Sequence, residues 1–148
     1  MSNIEERLKA LGIMLAEPKP AAGNYLGGKR VGELLFASGR VSDLAGEVGT
    51  DVSEEQAKKA ARDTVILILS IIKNDIGDLD IIEGVIKVQG FIRSSPNFMA
   101  QPKVLDGASD LLIELFGENG RHARTATGVT QLPFGAAVQL DIIFKLRA

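Results

Sequence analysis

At 148 residues the chain has the size of one domain and can bury about two thirds of its unfolded surface, so one core is expected. Its 45% hydrophobic and 24% charged residues describe an ordinary globular composition, while 5% aromatic content and no tryptophan predict aliphatic packing. A net charge of −2 supplies no cationic field for nucleic acid, and the absence of cysteine removes disulfides, thiolate nucleophiles and zinc–thiolate sites; with one histidine, no metal site is expected.

SNIEERLKALGI opens with Ser2 and Glu5 at capping-box spacing and sets Ile4, Leu8 and Leu11 on one face, predicting a short amphipathic helix within an N-terminal extension over residues 1–19. Glu5 and Glu6 stand where a signal peptide needs basic and apolar residues. The longest apolar run, Val65 to Ile72, is broken by Ser70 and is too short for a bilayer, so a cytoplasmic chain with no membrane partner is expected. EPKPAAGNYLGGKR reads as a Pro/Gly-punctuated loop in which Tyr25 opens a short strand. VGELLFASGRV, residues 31–41, reads as a strand covered on both faces, followed by a turn-rich connection through residue 52.

Ser53 and Gln56 form a second capping box, and the helix after it places Ala57, Ala60, Ala61, Thr64, Val65, Ile68, Leu69 and Ile72 on a wide apolar stripe. DIIEGVIKVQGFIRS predicts a strand, SSPNFMAQPKV a loop, and VLDGASDLLIELFG a helix with Leu111, Leu112, Leu115 and Phe116 inward and Gly117 as its cap. HARTATGVTQL and AAVQLDIIFKL predict two strands separated by PFG. In the second, Val138, Leu140, Ile142, Phe144 and Leu146 point one way and Gln139, Asp141, Ile143 and Lys145 the other. That other face is mixed, which suits solvent or a cleft closed by a partner subunit. The order α-β-β-α-β-α-β-β predicts one α+β domain over residues 1–148, with helices on one side of a largely antiparallel or mixed sheet.

Several chemistries fail on their motifs. GRHAR has one glycine and precedes a strand, and NYLGGKRVGE lacks the Lys-Ser/Thr ending, so neither is a phosphate loop. Ser38, His122 and an acid could be assembled into a triad, but no nucleophile-elbow sequence surrounds any serine. The Glu pairs at 5–6 and 54–55 sit in first helical turns, where negative charge complements the helix dipole.

ARTATGVTQLP, residues 123–133, resembles the Ala-Arg-Ser/Thr, alternating strand and Leu-Pro of the RidA/YjgF reactive intermediate deaminase family, which carries the older label L-PSP endoribonuclease. FASGRV at 36–41 is similar to that family's apolar-Ser-Gly-Gln/Arg segment, and GNYLGG at 23–28 resembles its Gly-x-Tyr start. The resemblance covers residues 20–146, and the N-terminal helix and the wording GENGRHAR mark a divergent branch.

The resemblance implies a chorismate-mutase-like α+β fold, a mixed β-sheet with helices packed on one face, assembled as a homotrimer with a small-molecule cleft between subunits. It implies hydrolysis of enamines and imines to 2-keto acids and ammonia without metal or cofactor. Arg124 takes the position that grips the carboxylate of a small 2-keto or 2-imino acid. Tyr25, Ser38, Gly39, Thr125, Ala126 and Asp106 match cleft positions, with Ala126 in place of a family cysteine and Asp106 in place of a helix-start asparagine. A guanidinium suits that role because its planar fork fits a carboxylate and stays charged in a poorly solvated cleft; the alternative is an ordinary salt bridge within the chain. The family's water-orienting glutamate falls nearest Gln139, which cannot act as a base, with Asp141 two residues along the same strand face as the alternative carboxylate. A non-catalytic metabolite-binding or regulatory trimer is therefore the competing expectation. His122 has the capacity to donate or accept, or it packs at the strand entrance. RNA cleavage is carried by the older label alone, against an acidic chain with no basic stripe.

Overall fold

The computed structural model describes residues 3–17 and 20–148. Helix α1 (Asn3–Ala10) buries Ile4 and Leu8. Ser2, half of the expected capping box, lies outside the described residues; the carboxylate of Asp80 accepts from the amides of Asn3 and Ile4 at 2.8 and 3.0 Å. A side chain distant in sequence thus satisfies two of the donors a helix start leaves open. Burial works to raise the Asp80 carboxyl, and those two amides with Arg147 and Arg7 overcome it and hold it below the usual range. Leu11 falls beyond the helix end, next to Gly12 at φ 74°, and is exposed rather than on the buried stripe.

The strand expected over 31–41 starts at Leu34, and Val31 belongs to the short strand before it. Strand β1 (Gly28–Val31) pairs with β2 (Leu34–Val41) across a two-residue turn, with Gly32 at φ 58° in its first position. The short strand expected to open at Tyr25 begins at Gly28. Helix α2 (Glu54–Ile76) starts with the predicted capping box: Ser53 Oγ accepts from Gln56 N at 3.1 Å, and Gln56 Oε1 accepts from Ser53 N at 2.9 Å. The eight predicted stripe residues are all buried. Strand β3 (Ile82–Arg93) follows a 3-10 turn over Leu79–Ile81.

Helix α3 (Gln101–Phe116) begins three residues before the expected Val104. Pro102 belongs in its first turn, where the missing amide would have had no helical partner. Gly117 takes the expected positive φ at the helix end. Strands β4 (Ala123–Val129) and β5 (Val138–Leu146) flank a turn over Pro133–Gly135.

The five strands run in the order β1-β2-β5-β3-β4, with β3 and β4 parallel and the other neighbours antiparallel. The parallel pair is what α3 creates by carrying the chain from one strand to the next across the sheet. Strand β5 lies at the centre, and its inward residues Val138, Leu140, Ile142, Phe144 and Leu146 are fully buried in the cluster that includes Val65, Ile68, Leu69 and Ile72 of α2 and Leu105, Leu111 and Leu112 of α3. Among the described residues the other side of the sheet carries no helix. Phe36 and Ile86 are each 41% exposed there, so β2 is covered on one face only within this chain. Alternation of apolar residues marks both faces of a strand as apolar without saying whether the same chain covers both.

Two close approaches set the position of α3. A Cβ at Gly107 would lie 2.0 Å from the Lys58 carbonyl oxygen of α2, and one at Gly90 would lie 2.5 Å from Leu105. Glycine in a helix interior costs about 1 kcal/mol relative to alanine, and here it permits helix-to-helix contact at backbone distance. Gly107→Ala should lower the unfolding free energy by about 2–3 kcal/mol despite its better helix propensity, as read by urea denaturation; an unchanged midpoint would show that the helices have room to part.

Candidate functional site

Arg124 sits on the edge strand β4, in register with Val88 of β3, which is in turn paired with Ile142 of β5. Both partners are fully buried, so Arg124 points to the helix-covered side. There α3 presents Pro102, Asp106 and Ser109, spaced four and three residues apart and therefore on one helix face. Arg124 Nη1 donates to Asp106 Oδ1 at 2.7 Å and to Ser109 Oγ at 3.2 Å, and Nη2 donates to the Pro102 carbonyl at 3.3 Å. The side chains of Arg124 and Asp106 are 24% and 47% exposed, so the pair is partly screened by water. A guanidinium has five N–H donors. These contacts use both hydrogens of Nη1 and one of Nη2, and they leave the Nε edge without a protein partner among the described residues.

Ser109, 7% exposed, was not singled out by sequence; its only signal was a polar residue three positions after Asp106 on an otherwise apolar stripe. It also meets His122, with Oγ 2.8 Å from Nε2, while His122 Nδ1 lies 2.6 Å from the Gly120 carbonyl oxygen. The serine paired with His122 is thus Ser109, not Ser38. Ala126, two residues after Arg124, packs against the core.

A second group forms on the opposite side of the sheet. Between Ala37 and Arg40 of β2 the register with β5 slips, so that Ser38 and Gly39 oppose Asp141 alone. Such a bulge re-aims side chains and bends the strand. It brings Gly39 against Gln139, whose Nε2 would lie 3.5 Å from a Cβ there. The Ser38 hydroxyl donates to the Leu26 carbonyl. Tyr25 is exposed, with the Arg40 guanidinium 5.5 Å from its ring centroid. Asp141 is in register with Gln89, and Gln89 with Thr125, so a polar row crosses the open face from β4 to the bulge. Gln89 is a member that sequence reasoning missed, because strand pairing alone places it there.

Burial pushes the Asp141 carboxyl above the usual range, against the opposing pull of Lys87. Asp141 makes no hydrogen bond among the described residues. A half-buried carboxyl of that kind is where proton-transfer chemistry tends to be found. Within one chain, however, the sites divide: Arg124 and Asp106 lie on the helix side at β4, while Asp141 and Gln139 face the other way from β5, with β3 between the strands. A cavity of about 390 Å3 between residues 14–17, 41–44 and α2 contains none of these groups.

These features define an α+β protein whose mixed sheet is helix-covered on one side and whose candidate groups stand at the β4 edge and on the open face. Residues 5–145 match the family model described as "YjgF/chorismate_mutase-like, putative endoribonuclease". The chain belongs to this YjgF/chorismate mutase-like family, as the motifs at 23–28, 36–41 and 123–133 implied. It is 38% identical to Protein TCP17 of Trypanosoma cruzi over 97% of this chain and 94% of that one. The crystal structure of protein Atu1372 from Agrobacterium tumefaciens, of unknown function, is 41% identical with a TM-score of 0.89 over 98% of this chain and 93% of that one. A Shewanella oneidensis structure bearing the endoribonuclease label is 30% identical with a TM-score of 0.93 over 98% and 100% of the two chains. Among the described residues no helix is long and apolar enough to cross a membrane.

Because the fold raises the Asp141 pKa, it prefers the protonated acid. The sign follows: its contribution to stability is fully present below the ordinary value of 3.8 and is lost as pH rises through the raised one. Asp141→Asn should therefore raise the melting temperature at neutral pH, with the gain vanishing in acid; a gain of the same size at both extremes would contradict the burial of this group.

Proposed function

We propose that this chain binds small 2-keto or 2-imino acids through Arg124, in clefts completed by neighbouring copies of a homotrimer, and hydrolyses reactive imines and enamines there. The observation that carries the reading is the guanidinium of Arg124, held by Asp106, Ser109 and Pro102 with its Nε edge unengaged. That edge, Nε–H with one Nη2–H, has the spacing for a bidentate carboxylate. Asp106 offsets part of the charge, which favours a ligand with one carboxylate over a more highly charged anion.

Hydrolysis of a 2-imino acid needs water to add its oxygen to the imine carbon; both of its protons pass to the nitrogen, the carbon–nitrogen bond breaks, and the oxygen stays as the keto oxygen while ammonia leaves. Gln139 offers hydrogen bonds and no basic site. Asp141 is the carboxyl that the fold already inclines to hold a proton. Since Arg124 and Asp141 face opposite sides of the sheet, a site that uses both takes them from two copies. Apolar groups on the open face support self-association: Phe36 and Ile86 are exposed there, and Ile143 is only partly buried among the described residues. The second reading, a metabolite-binding regulatory trimer without turnover, is favoured by Gln139 in the place of the family's glutamate.

In an amino acid oxidase assay the protein should speed ammonia release from the imine product, and Arg124→Ala should reduce that gain at least about tenfold. Keto-acid binding by calorimetry with no rate gain would select the regulatory reading. Phe36→Glu should shift the sedimenting species from trimer to monomer while leaving the circular dichroism spectrum intact; a trimer that tolerates the change would place the subunit contact elsewhere.

A further inference from the structure

The GENGRHAR stretch contributes more than Arg124. We infer that Ser109 and His122 are positioning residues that set the orientation of the Arg124 guanidinium through a hydrogen-bond chain of fixed direction. The inference rests on the reading of Arg124 as the carboxylate-binding group.

Each link is dictated by the one before it. The Gly120 carbonyl can only accept, so His122 Nδ1 at 2.6 Å carries the proton. When the ring carries that one proton, its other nitrogen is an acceptor, and the Ser109 hydroxyl 2.8 Å from Nε2 is the group placed to donate to it. With its proton directed there, Ser109 Oγ offers a lone pair to Arg124 Nη1 at 3.2 Å. Asp106 Oδ1 takes the second Nη1 hydrogen at 2.7 Å. Two fixed hydrogens on one nitrogen fix the plane of the whole group, because the guanidinium is rigid.

The anchor is itself held. Gly120 is buried, and a Cβ there would lie 2.4 Å from the Leu112 carbonyl oxygen, so the 3-10 turn carrying it is pressed against α3. The chain therefore starts and ends on α3: the turn at one end packs on Leu112, and Arg124 at the other end is bound by Asp106. At 7% exposure Ser109 is shielded from competing water, which strengthens its part in the network. Asp106 and the exposed 3.3 Å contact to the Pro102 carbonyl hold one hydrogen on each terminal nitrogen; the serine adds the shielded contact that takes the second hydrogen of Nη1.

His122 is the chain's one histidine, so long-range 1H–15N correlation at about pH 8.5 reads its tautomer without assignment. The Nδ1–H form is expected, and the Nε2–H form would overturn the proposal. The heteronuclear NOE of Arg124 Nε–H should be high in the unmodified chain, fall in Ser109→Ala and His122→Phe, and recover in Ser109→Thr, which keeps the hydroxyl. A rigid Nε–H in both deletion variants overturns the positioning role. In calorimetry with pyruvate as the probe, Ser109→Ala should bind about tenfold more weakly. Binding lost in Arg124→Ala but unchanged in Ser109→Ala overturns the positioning role alone. No pyruvate binding by the unmodified chain overturns the carboxylate reading itself, while the tautomer and NOE still decide whether the chain of bonds exists.

Discussion

The placement of α3 is the constraint on which the rest of the molecule depends. It lies against the α2 backbone at a distance only Gly107 allows, and the Leu105 side chain fills the space over Gly90 of β3. A helix so held has no freedom to slide, and its outer face delivers Pro102, Asp106 and Ser109 to a single arginine on the edge strand. The same helix makes β3 and β4 parallel, since a crossover of this length is the connection a parallel pair requires. Architecture and candidate site thus share one cause.

The sheet separates two kinds of work. Its helix-covered side is aliphatic, with Arg124 at its margin tied into α3. Its open side carries the polar row Thr125, Gln89 and Asp141 running to the bulge at Ser38 and Gly39, among apolar residues such as Phe36. A purely solvent-facing surface would have no reason to hold a carboxyl above its usual range, and a purely structural interface would have no reason to keep one. Mixed character of this kind fits a face that is not wholly given to solvent.

Asp106 changes what Arg124 can do. A neutral side chain in its position would leave the full guanidinium charge to a ligand, whereas the carboxylate shares it and fixes its direction. Charge is exchanged for orientation.

Much of the fold is legible in the sequence because its signals are local. The capping box at Ser53 and Gln56, the α2 stripe and the strict alternation of β5 are periodicities a short window contains. The boundary between β1 and β2 at Gly32 was hidden by apolar residues on both sides, and the start of α3 by a proline that reads as a breaker yet suits a first helical turn. Arg124 and Asp106 stood out through resemblance to a family, with no local pattern joining them. Ser109, Gln89 and the pairing of His122 had no such guide.

What the chain's order of residues determined by itself was the set of elements, the face each would bury and the family to which it belongs, since these follow from spacing along one strand or one helix. Only the tertiary structure decided which side of the sheet each polar group faces: Arg124 toward α3, Asp141 away from it, and Ser38 with Gly39 folded into a bulge. That outcome depends on strand register, where a slip of one residue exchanges the two faces, and register is settled by contacts between residues far apart in sequence.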